Sequence, residues 1–338
     1  MSQPPPPFRF AALSSLVLGW AASACAEPPE TGTGPGVISM TSENDLFGGT
    51  DRNYTNGIRL ERFGPANDVH PLLRRAARLV PFIDLEQTEL RQGFAIAHAI
   101  YTPEDIEAIT PDPEDRPYAG WLHVSGTAVA SNDRSQDVLQ LNLGWVGPGA
   151  AGEFVQTNWH ELINGVEPRG WDEQLPDEPG IELIAQRVQR YGGPELPFGV
   201  ETDYGLNFGG AIGNVRTYAS AGVMARLGRD LDADFGPPRI RPALSGAGVF
   251  RPGRDLGGYV FAGFDVRAVG RDIFLDGNTF RDSPSVSDRR ILVGDIQTGV
   301  AVHYKQVQLA MTYVHRTEQF VRQDGPQRFG AISISIAR

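Results

Sequence analysis

The sequence is 338 residues long, which is enough for one large barrel or two ordinary domains, and either could bury a sizeable core. The formal net charge is −11 at pH 7 and the pI is about 5.1, and no basic run with interleaved aromatic residues interrupts this acidic composition. These features argue against a polyanion-binding surface, and nucleic-acid binding can be set aside.

Residues 1–26 are predicted to be a signal peptide. Arg9 precedes an apolar run, and the small residues Ala24 and Ala26 suit a signal-peptidase site. The alternatives are a retained N-terminal anchor, or a lipoprotein attached through Cys25, although the residues before Cys25 make a poor lipobox. Cleavage after Ala26 would leave a single exported domain, 27–338, without cysteine, which excludes disulfides and thiol catalysis.

Most of the remaining chain alternates apolar with small or polar residues, and Gly-, Asp- or Asn-rich turns separate the alternating stretches. This pattern predicts an all-β meander of antiparallel strands. The predicted strands cover residues 55–63, 91–101, 118–131, 137–147, 181–190, 199–214, 216–228, 256–270, 291–304, 307–320 and 329–338.

The two faces of these strands differ in polarity. In residues 329–338, Ile332, Ile334 and Ile336 share one face, while Ser333 and Ser335 lie on the other. Strands of about ten residues with one apolar and one small or polar face are typical of a transmembrane β-barrel. A secreted barrel or a sandwich would show the same alternation, so the pattern alone leaves both open.

Two segments interrupt the alternation. Residues 65–88 contain a short basic amphipathic piece, for which an ordinary loop helix is favoured over a membrane-surface helix. Residues 148–178 are predicted to be a short helix followed by a loop, with Gln156 and His160 one turn apart on the same face. A histidine in that position is more often a capped or core residue than a catalyst.

Small oxygen-bearing side chains crowd residues 44–56. Asn44, Asp45 and Thr55 offer the hard oxygen donors that Ca²⁺ prefers, although the spacing is not that of an EF-hand. Ordinary turn chemistry is the alternative, and Asp51, Asn53 and Asn56 are assigned to the turn. Serine hydrolysis is poorly supported, because the sequence has no G-x-S-x-G elbow.

Five blocks occur in an order that resembles the lipid A deacylase family: SENDLF, TDRNYTNGIRL, AIYTP, EDRPYAGWLHV and the long segment that starts at Gly144 with GWVGPGAAGEF. Members of that family are outer-membrane enzymes that remove the 3′-linked acyloxyacyl chain from the lipid A of lipopolysaccharide. The resemblance implies a barrel of about twelve strands with short loop helices near the active site, Ca²⁺ as cofactor, and location in the outer membrane of a Gram-negative bacterium.

The resemblance also assigns roles to residues. It implies that His160, one turn after Gln156, activates the attacking water, that Asn44 and Thr55 contribute to the catalytic site, and that Asp45, Asn44 and Thr55 hold the metal. The family's characterised member has a lysine after the block that reads AIYTP here, and this sequence has none there.

Other residues of the matching blocks receive mainly structural roles. Asp115 and Arg116 are expected to pair inside the barrel, and Tyr118 and Trp121 to join an interfacial aromatic belt. The segment GWDEQLPDEP, with Gly170 and Trp171, is favoured as a support for the loop of His160 over a wall of the substrate groove.

The sequence therefore predicts a Ca²⁺-dependent lipid A 3′-O-deacylase. The alternatives are a non-catalytic outer-membrane barrel, porin-like or structural, and a soluble periplasmic binding module. The sequence does not indicate an oligomeric state.

Overall fold

The computed structural model describes residues 34–49, 52–78 and 88–338. This part of the chain contains twelve β-strands and three short α-helices. The strands are β1 Val37–Asn44, β2 Asn53–Phe63, β3 Glu89–Thr102, β4 Ala119–Ser131, β5 Ser135–Val146, β6 Glu178–Gly192, β7 Glu201–Gly213, β8 Arg216–Arg229, β9 Gly253–Asp272, β10 Leu292–Lys305, β11 Val307–Arg316 and β12 Gln327–Ala337. The helices are α1 Pro71–Ala77, α2 Gly152–Ile163 and α3 Ile273–Asp276.

The strands form one closed antiparallel barrel. Each strand pairs with its neighbours in the chain, and β1 closes the barrel by pairing with β12 from Val37 opposite Ala337 to Asn44 opposite Gly330. The predicted all-β fold of about twelve strands is confirmed. The eleven predicted strands correspond to β2–β12, whereas β1 was not among them.

The barrel has two distinct ends. Strand β1 begins and β12 ends at what we call the terminal end, and β1 finishes at the opposite end, the loop end. The predicted excursion 65–88 leaves from the terminal end and contains α1, while the predicted helix of residues 148–178 is α2, at the loop end. The predicted signal peptide lies outside the described residues. Within the described residues, no helix is long and apolar enough to cross a membrane.

The two faces of the wall follow the alternation of the sequence. In β12, Ser333 and Ser335 are buried in the lumen, whereas Ile332, Ile334 and Ile336 point outwards. The same arrangement recurs around the barrel, because the outward positions carry exposed apolar side chains and the inward positions carry polar or charged ones. This polarity is the reverse of a soluble protein's and matches a barrel surrounded by lipid.

A segment that the alternation did not identify enters the lumen from the terminal end. Residues 230–252, which we call the plug segment, connect β8 to β9 and fold into the barrel. Nε of Arg239 donates to Oε1 of Glu43 at 2.7 Å, and Nε of Arg241 donates to Oε1 of Gln186 at 2.8 Å. Both arginines belong to the plug segment and both acceptors to the wall, so side-chain bonds fasten the plug to the barrel.

An aromatic layer lies across the lumen at the loop end. Phe274 of α3 is fully buried and stacks on Tyr101 with the ring centroids 3.9 Å apart, and Tyr54 packs against Tyr101 and Phe329. The cavity left between this layer and the plug segment measures about 40 Å³, room for roughly three water molecules. The plug segment and the aromatic layer therefore both obstruct the lumen.

The expected aromatic belt contains different residues from those proposed. Trp121 lies inside the lumen, stacked on His123 at 4.8 Å, and Tyr118 is buried beneath Trp171. Both assignments were wrong: Trp121 is at an odd-numbered position of β4, which faces the lumen, and Tyr118, just before β4, is covered by Trp171. Trp145 of β5 and Tyr313 of β11, which point outwards near the loop end, are the residues suited to an interface.

Candidate active site

The candidate site residues lie on the outer side of the wall at the loop end. Strand pairing places Asn44 opposite Asn56, Asn56 opposite Ile100, and Ile100 opposite Gly120. These four residues form a row across β1–β4, and they are on the outward face because the alternate positions below them, such as Ile58 and Val124, are exposed. We call this row the outer row.

A β-bulge aims Thr55 into the same region. The pairing of β2 with β3 shifts between Tyr54 and Asn56, so Thr55 is the extra residue. Its Oγ1 lies 2.7 Å from Oγ1 of Thr102 at the end of β3. The structure also corrects the assignment of Asn53 and Asn56 to the turn, since both belong to β2. Asp51 lies outside the described residues.

The turn Asp45–Gly48 folds over the outer wall beside the outer row. Oδ1 of Asn44 accepts from the backbone N–H of Leu46 at 2.8 Å, which caps the turn. The carboxylate of Asp45 is fully buried, and its Oδ2 accepts from the backbone N–H of Arg52 at 2.5 Å. Phe47 lies directly on Gly330, where any larger residue would meet its ring.

Helix α2 packs on the opposite edge of the outer row. The space that a Cβ would need at Gly120 is occupied by Gly152, whose backbone N lies 3.0 Å from that position. Nε2 of the outward-facing His98 lies 2.9 Å from the backbone oxygen of Ala150, just before the helix. The helix therefore lies outside the barrel, against β3 and β4. Gly152, Gln156 and His160 are its buried stripe.

The surroundings of His160 define its tautomer. The helix ends at Asn164 in the left-handed conformation, with φ 52°, and the chain turns back so that the backbone oxygen of Val166 bonds to Nδ1 of His160. A carbonyl oxygen only accepts, so Nδ1 carries the proton in the neutral ring. Nε2 is then the ring nitrogen that carries the lone pair.

Gln156 is held by a residue from the following loop. Nε1 of Trp171 donates to Oε1 of Gln156 at 2.9 Å, and the Trp171 ring packs on Tyr118 with centroids 4.8 Å apart. The amide Nε2 of Gln156 is buried and has no hydrogen-bond partner among the described residues. A buried donor of this kind is available to a bound water or ligand.

Arg52 links the turn of Asp45 to two other loops. Its guanidinium bonds to Glu104, which directly follows Pro103, and donates to the backbone oxygen of Asp324 at 2.8 Å. Burial raises the pKa of Glu104, and the Arg52 guanidinium opposes that shift. Sequence reasoning did not identify Arg52, although it lies inside the TDRNYTNGIRL block.

The expected pairing of Asp115 with Arg116 has a different form. The guanidinium of Arg116 enters the barrel and donates to Oε1 of Gln319 at 2.8 Å, whereas Asp115 accepts from the backbone N–H groups of Glu104 and Arg116. Burial lowers the pKa of Arg116, while Asp272 opposes that shift.

The residues proposed to hold Ca²⁺ have the appropriate chemistry but only one charge. Asp45 supplies a buried carboxylate, and Asn44 and Thr55 supply neutral oxygens from the adjoining strand ends. Among the described residues, no group of three or more His, Cys, Asp or Glu could hold a metal ion. A cation here would therefore depend on one carboxylate, neutral oxygens and oxygens from outside the chain.

Comparison with known proteins identifies a related family. The family model described as Outer membrane protein LpxR matches residues 10–338. The structure of LpxR from Salmonella typhimurium is similar with a TM-score of 0.72 and 20% sequence identity, covering 89% of this chain and 100% of that one. The β domain of the Bordetella autotransporter BrkA has a TM-score of 0.44 at 10% identity, covering 91% and 100%. No curated protein sequence matches this chain.

Proposed function

This chain belongs to the LpxR family of outer-membrane proteins, and we propose that it hydrolyses the ester that attaches the 3′-linked acyloxyacyl chain to the lipid A of lipopolysaccharide. Long connections at one end of such a barrel face the outside of the cell. The loop end, with β3–β4, β5–β6 and β9–β10 connections, then lies in the leaflet that contains lipopolysaccharide.

The position of His160 on the outside of the wall is the observation that carries this proposal. Gln156 and His160 face the barrel from α2, on the same outer side as Asn44 and Thr55. A water-soluble substrate would be expected to bind in the lumen or in the loops. A site between the wall and an external helix is instead reached from the side, by a molecule already in the membrane.

The proposed reaction uses Nε2 of His160 as a base. Nε2 takes a proton from a water molecule, whose oxygen attacks the acyl carbonyl carbon. The tetrahedral intermediate collapses by breaking the bond to the sugar oxygen, and His160 returns the proton to that oxygen. The products are a fatty acid and a free sugar hydroxyl. The backbone oxygen of Val166 keeps the ring oriented throughout.

The amide Nε2 of Gln156, which has no hydrogen-bond partner among the described residues, is suited to the charge that develops during attack. Its Nε2 could donate to the attacking water or to the carbonyl oxygen as it becomes an oxyanion. Trp171 fixes the amide orientation by donating to Oε1, which leaves the N–H₂ group directed away from Trp171. Asn44 contributes a second neutral amide on the wall.

Asp45, with Asn44 and Thr55, would hold Ca²⁺. The ion, when bound, would supply a Lewis acid for the ester carbonyl and positive charge for the lipid A phosphates. Asp45 is fully buried and its Oδ2 is anchored by the backbone of Arg52, so the carboxylate is held in a fixed direction. Thr55 serves as a ligand to metal or water, since its hydroxyl is bonded to Thr102 and not to a base.

Arg52 is proposed to replace the missing lysine. Its guanidinium reaches Glu104, in the place where the family's characterised member has its lysine after the AIYTP block. Arg52 is half-buried, so its guanidinium group is held near the site and is only partly exposed to water. We infer that it recognises a phosphate or sugar oxygen of the substrate.

The two alternatives from the sequence are less well supported. A porin-like role requires an open lumen, whereas the plug segment and the aromatic layer fill it. A soluble binding module would not carry a belt of exposed apolar side chains, among them Phe94, Ile96 and Val124, around the barrel.

Mass spectrometry of lipid A from cells that express the chain tests the proposal. Wild type should remove the 3′-linked acyl chains, and His160→Ala should leave them in place. His70→Ala, at an exposed histidine near the terminal end, is the matched control and should retain activity. Heat-modifiable gel migration shows that each variant folds. Intact lipid A in cells with folded wild type would refute the proposal.

A further inference from the structure

The small cavity inside the barrel, between the plug segment and the aromatic layer, is lined by five arginines. They are Arg59, Arg216, Arg241, Arg267 and Arg316. A guanidinium keeps its charge even where water is scarce, and a buried charge is costly unless an opposite charge lies beside it. The partners of these five side chains therefore show where the charge of the cavity is balanced and where it is not.

Four of the five arginines are balanced by carboxylates. Nη2 of Arg59 lies 2.5 Å from Oε1 of Glu61, and both side chains are buried. The other ion pairs are Arg216 with Glu182 at 3.5 Å, Arg267 with Asp265 at 3.0 Å and Arg316 with Asp295 at 2.9 Å. Each of these arginines has a carboxylate of its own, so four positive charges are compensated.

Two further carboxylates line the cavity and are already bonded. Oε1 of Glu43 accepts from Nε of Arg239 in the plug segment at 2.7 Å. Oδ1 of Asp272 accepts from the backbone N–H of Phe274 at 3.1 Å, which caps α3. Neither bond involves the fifth arginine of the lining.

Arg241 is that fifth arginine, and it contacts only neutral oxygens. Its Nε donates to Oε1 of Gln186 at 2.8 Å, its Nη1 to Oε1 of Gln140 at 3.1 Å, and its Nη2 to the backbone oxygen of Gly246 at 3.4 Å. Within the described part of the chain, no carboxylate forms an ion pair with it. A guanidinium has five N–H donors, so two of those of Arg241 remain.

A second guanidinium lies next to that of Arg241. Oε1 of Gln140 accepts from Nη1 of Arg241 and also, at 3.5 Å, from Nη2 of Arg59. Two positive charges thus meet at one amide oxygen, whereas only one carboxylate, that of Glu61, is bonded to either of them. Like charges this close repel each other more strongly inside a protein than in bulk water. This corner of the cavity therefore has one positive charge in excess.

We propose that the cavity binds one small monovalent anion, of the size and charge of chloride, between Arg59 and Arg241. The remaining N–H donors of Arg241 bond to it, and its single negative charge cancels the excess. The volume of about 40 Å³, room for roughly three water molecules, admits such an ion but excludes larger organic anions. Nδ1 of His123, which also lines the cavity and has no hydrogen-bond partner among the described residues, is a further donor.

The anion would help to attach the plug segment to the wall. Arg241 belongs to the plug segment, whereas Arg59 belongs to β2 and Gln140 to β5. An anion between the two arginines converts their repulsion into a bridge between plug and wall. This inference does not rest on the proposed hydrolysis, because the cavity lies inside the barrel and the candidate active site lies outside it.

Bromide, which substitutes for chloride and scatters X-rays anomalously, tests the site directly. Crystals of the barrel grown in sodium bromide should show an anomalous peak within hydrogen-bond distance of the Arg241 guanidinium. Crystals of Arg241→Gln should lack that peak. Water alone in the cavity would overturn the proposal. Bromide bound at exposed side chains and absent from the cavity would be an adventitious ion only and would overturn it too.

Chloride dependence of stability provides a second test. Heat-modifiable gel migration is measured in mixtures of chloride and gluconate, an anion too large for the cavity, at constant ionic strength. The unfolding midpoint of wild type should rise by roughly 2 °C for each tenfold increase in chloride above the dissociation constant. Arg241→Gln should show no such rise. Arg251→Gln is the matched control in the plug segment, because Arg251 already pairs with Asp133 at 3.3 Å, and it should keep the wild-type dependence.

Glu61→Gln gives a prediction of opposite sign and keeps the proposal testable if Arg241→Gln does not fold. Without the Glu61 carboxylate, Arg59 and Arg241 both lack a negative partner, so the anion should bind more tightly. The chloride concentration for half of the stabilisation should fall roughly tenfold. An unchanged or weaker chloride dependence in folded Glu61→Gln would contradict the proposed position of the anion. These measurements need no lipid A, so they are independent of deacylation.

Discussion

Trp171 donates a hydrogen bond from Nε1 to Oε1 of Gln156 at 2.9 Å, although the two residues belong to different elements, α2 and the loop that follows it. Both side chains are buried, and Trp171 also packs on Tyr118. The loop thus holds Oε1 of the amide, while its Nε2 has no hydrogen-bond partner among the described residues. The segment GWDEQLPDEP accordingly supports the site, as its favoured interpretation from the sequence predicts.

Replacing Trp171 should weaken activity without unfolding the barrel. In Trp171→Phe the ring packing is largely kept, but Gln156 loses its donor, so the amide can rotate. If the transition state loses about 1 kcal/mol of stabilisation with this hydrogen bond, the rate of lipid A deacylation should fall roughly fivefold. Tyr191→Phe, at the terminal end, is the control and should change activity less than twofold. Unchanged hydrolysis by folded Trp171→Phe would contradict the role given to this bond.

Gly120 should be sensitive to a single added methyl group. A Cβ at Gly120 would lie 3.0 Å from the backbone N of Gly152, so Gly120→Ala should push α2 away from the wall. Such overpacking should destabilise the packing of α2 on the barrel by about 1–3 kcal/mol. Gly126→Ala is the matched control on the outward face of the same strand, since no atom lies within 4 Å of its added Cβ. We expect at least tenfold slower deacylation for the first variant and wild-type rates for the second. Equal rates would show that the contact with α2 is dispensable.

The two hydroxyls that meet beside the outer row should differ in importance. Thr55→Val and Thr102→Val each remove the same 2.7 Å hydrogen bond, so their effects on heat-modifiable unfolding should be similar. Only Thr55 is proposed to bind metal or water, and Thr55→Val should therefore reduce deacylation at least tenfold more than Thr102→Val. Equal loss of activity would assign both residues a structural role.

Calcium dependence provides a separate measurement on Asp45. Removal of Ca²⁺ with EGTA should stop deacylation by wild type, and added Ca²⁺ should restore it. Asp45→Asn keeps an oxygen that can accept from the Arg52 backbone but removes the only carboxylate proposed for the site. We expect half-maximal activity to require roughly tenfold more Ca²⁺ in this variant. Wild-type activity in EGTA would contradict the metal requirement.

The sequence allowed the barrel to be predicted because its physical signal is local. A strand with lipid on one side and polar lumen on the other alternates at every residue, as Ile332–Ser333–Ile334–Ser335 does. Strand β1 alternates too, but it ends in SEN, in the cluster that resembles a turn. Pairing with β12, which is distant in the chain, extends it to Asn44.

Other features were not predicted, because they depend on contacts between residues that are far apart in the sequence. The plug segment contains Pro237, Pro238 and Gly236, which read as an ordinary loop, and only its bonds to distant wall residues show that it enters the lumen. Trp121 was assigned to an interfacial aromatic belt, but it lies in the lumen. The aromatic layer that surrounds it comes from strands far apart in sequence. Gln156 and His160 could be paired from their spacing, but the donor Trp171 could not be paired with them.

The filled lumen has a consequence for the membrane as a whole. The plug segment is bonded to the wall at Glu43 and Gln186, and Phe274 stacks on Tyr101 at the loop end, so both groups obstruct the path that ions would follow through the barrel. In a planar bilayer the protein should be electrically silent. A cell could then carry many copies of this protein without weakening the barrier of its outer membrane to small solutes, because the proposed site lies outside the barrel.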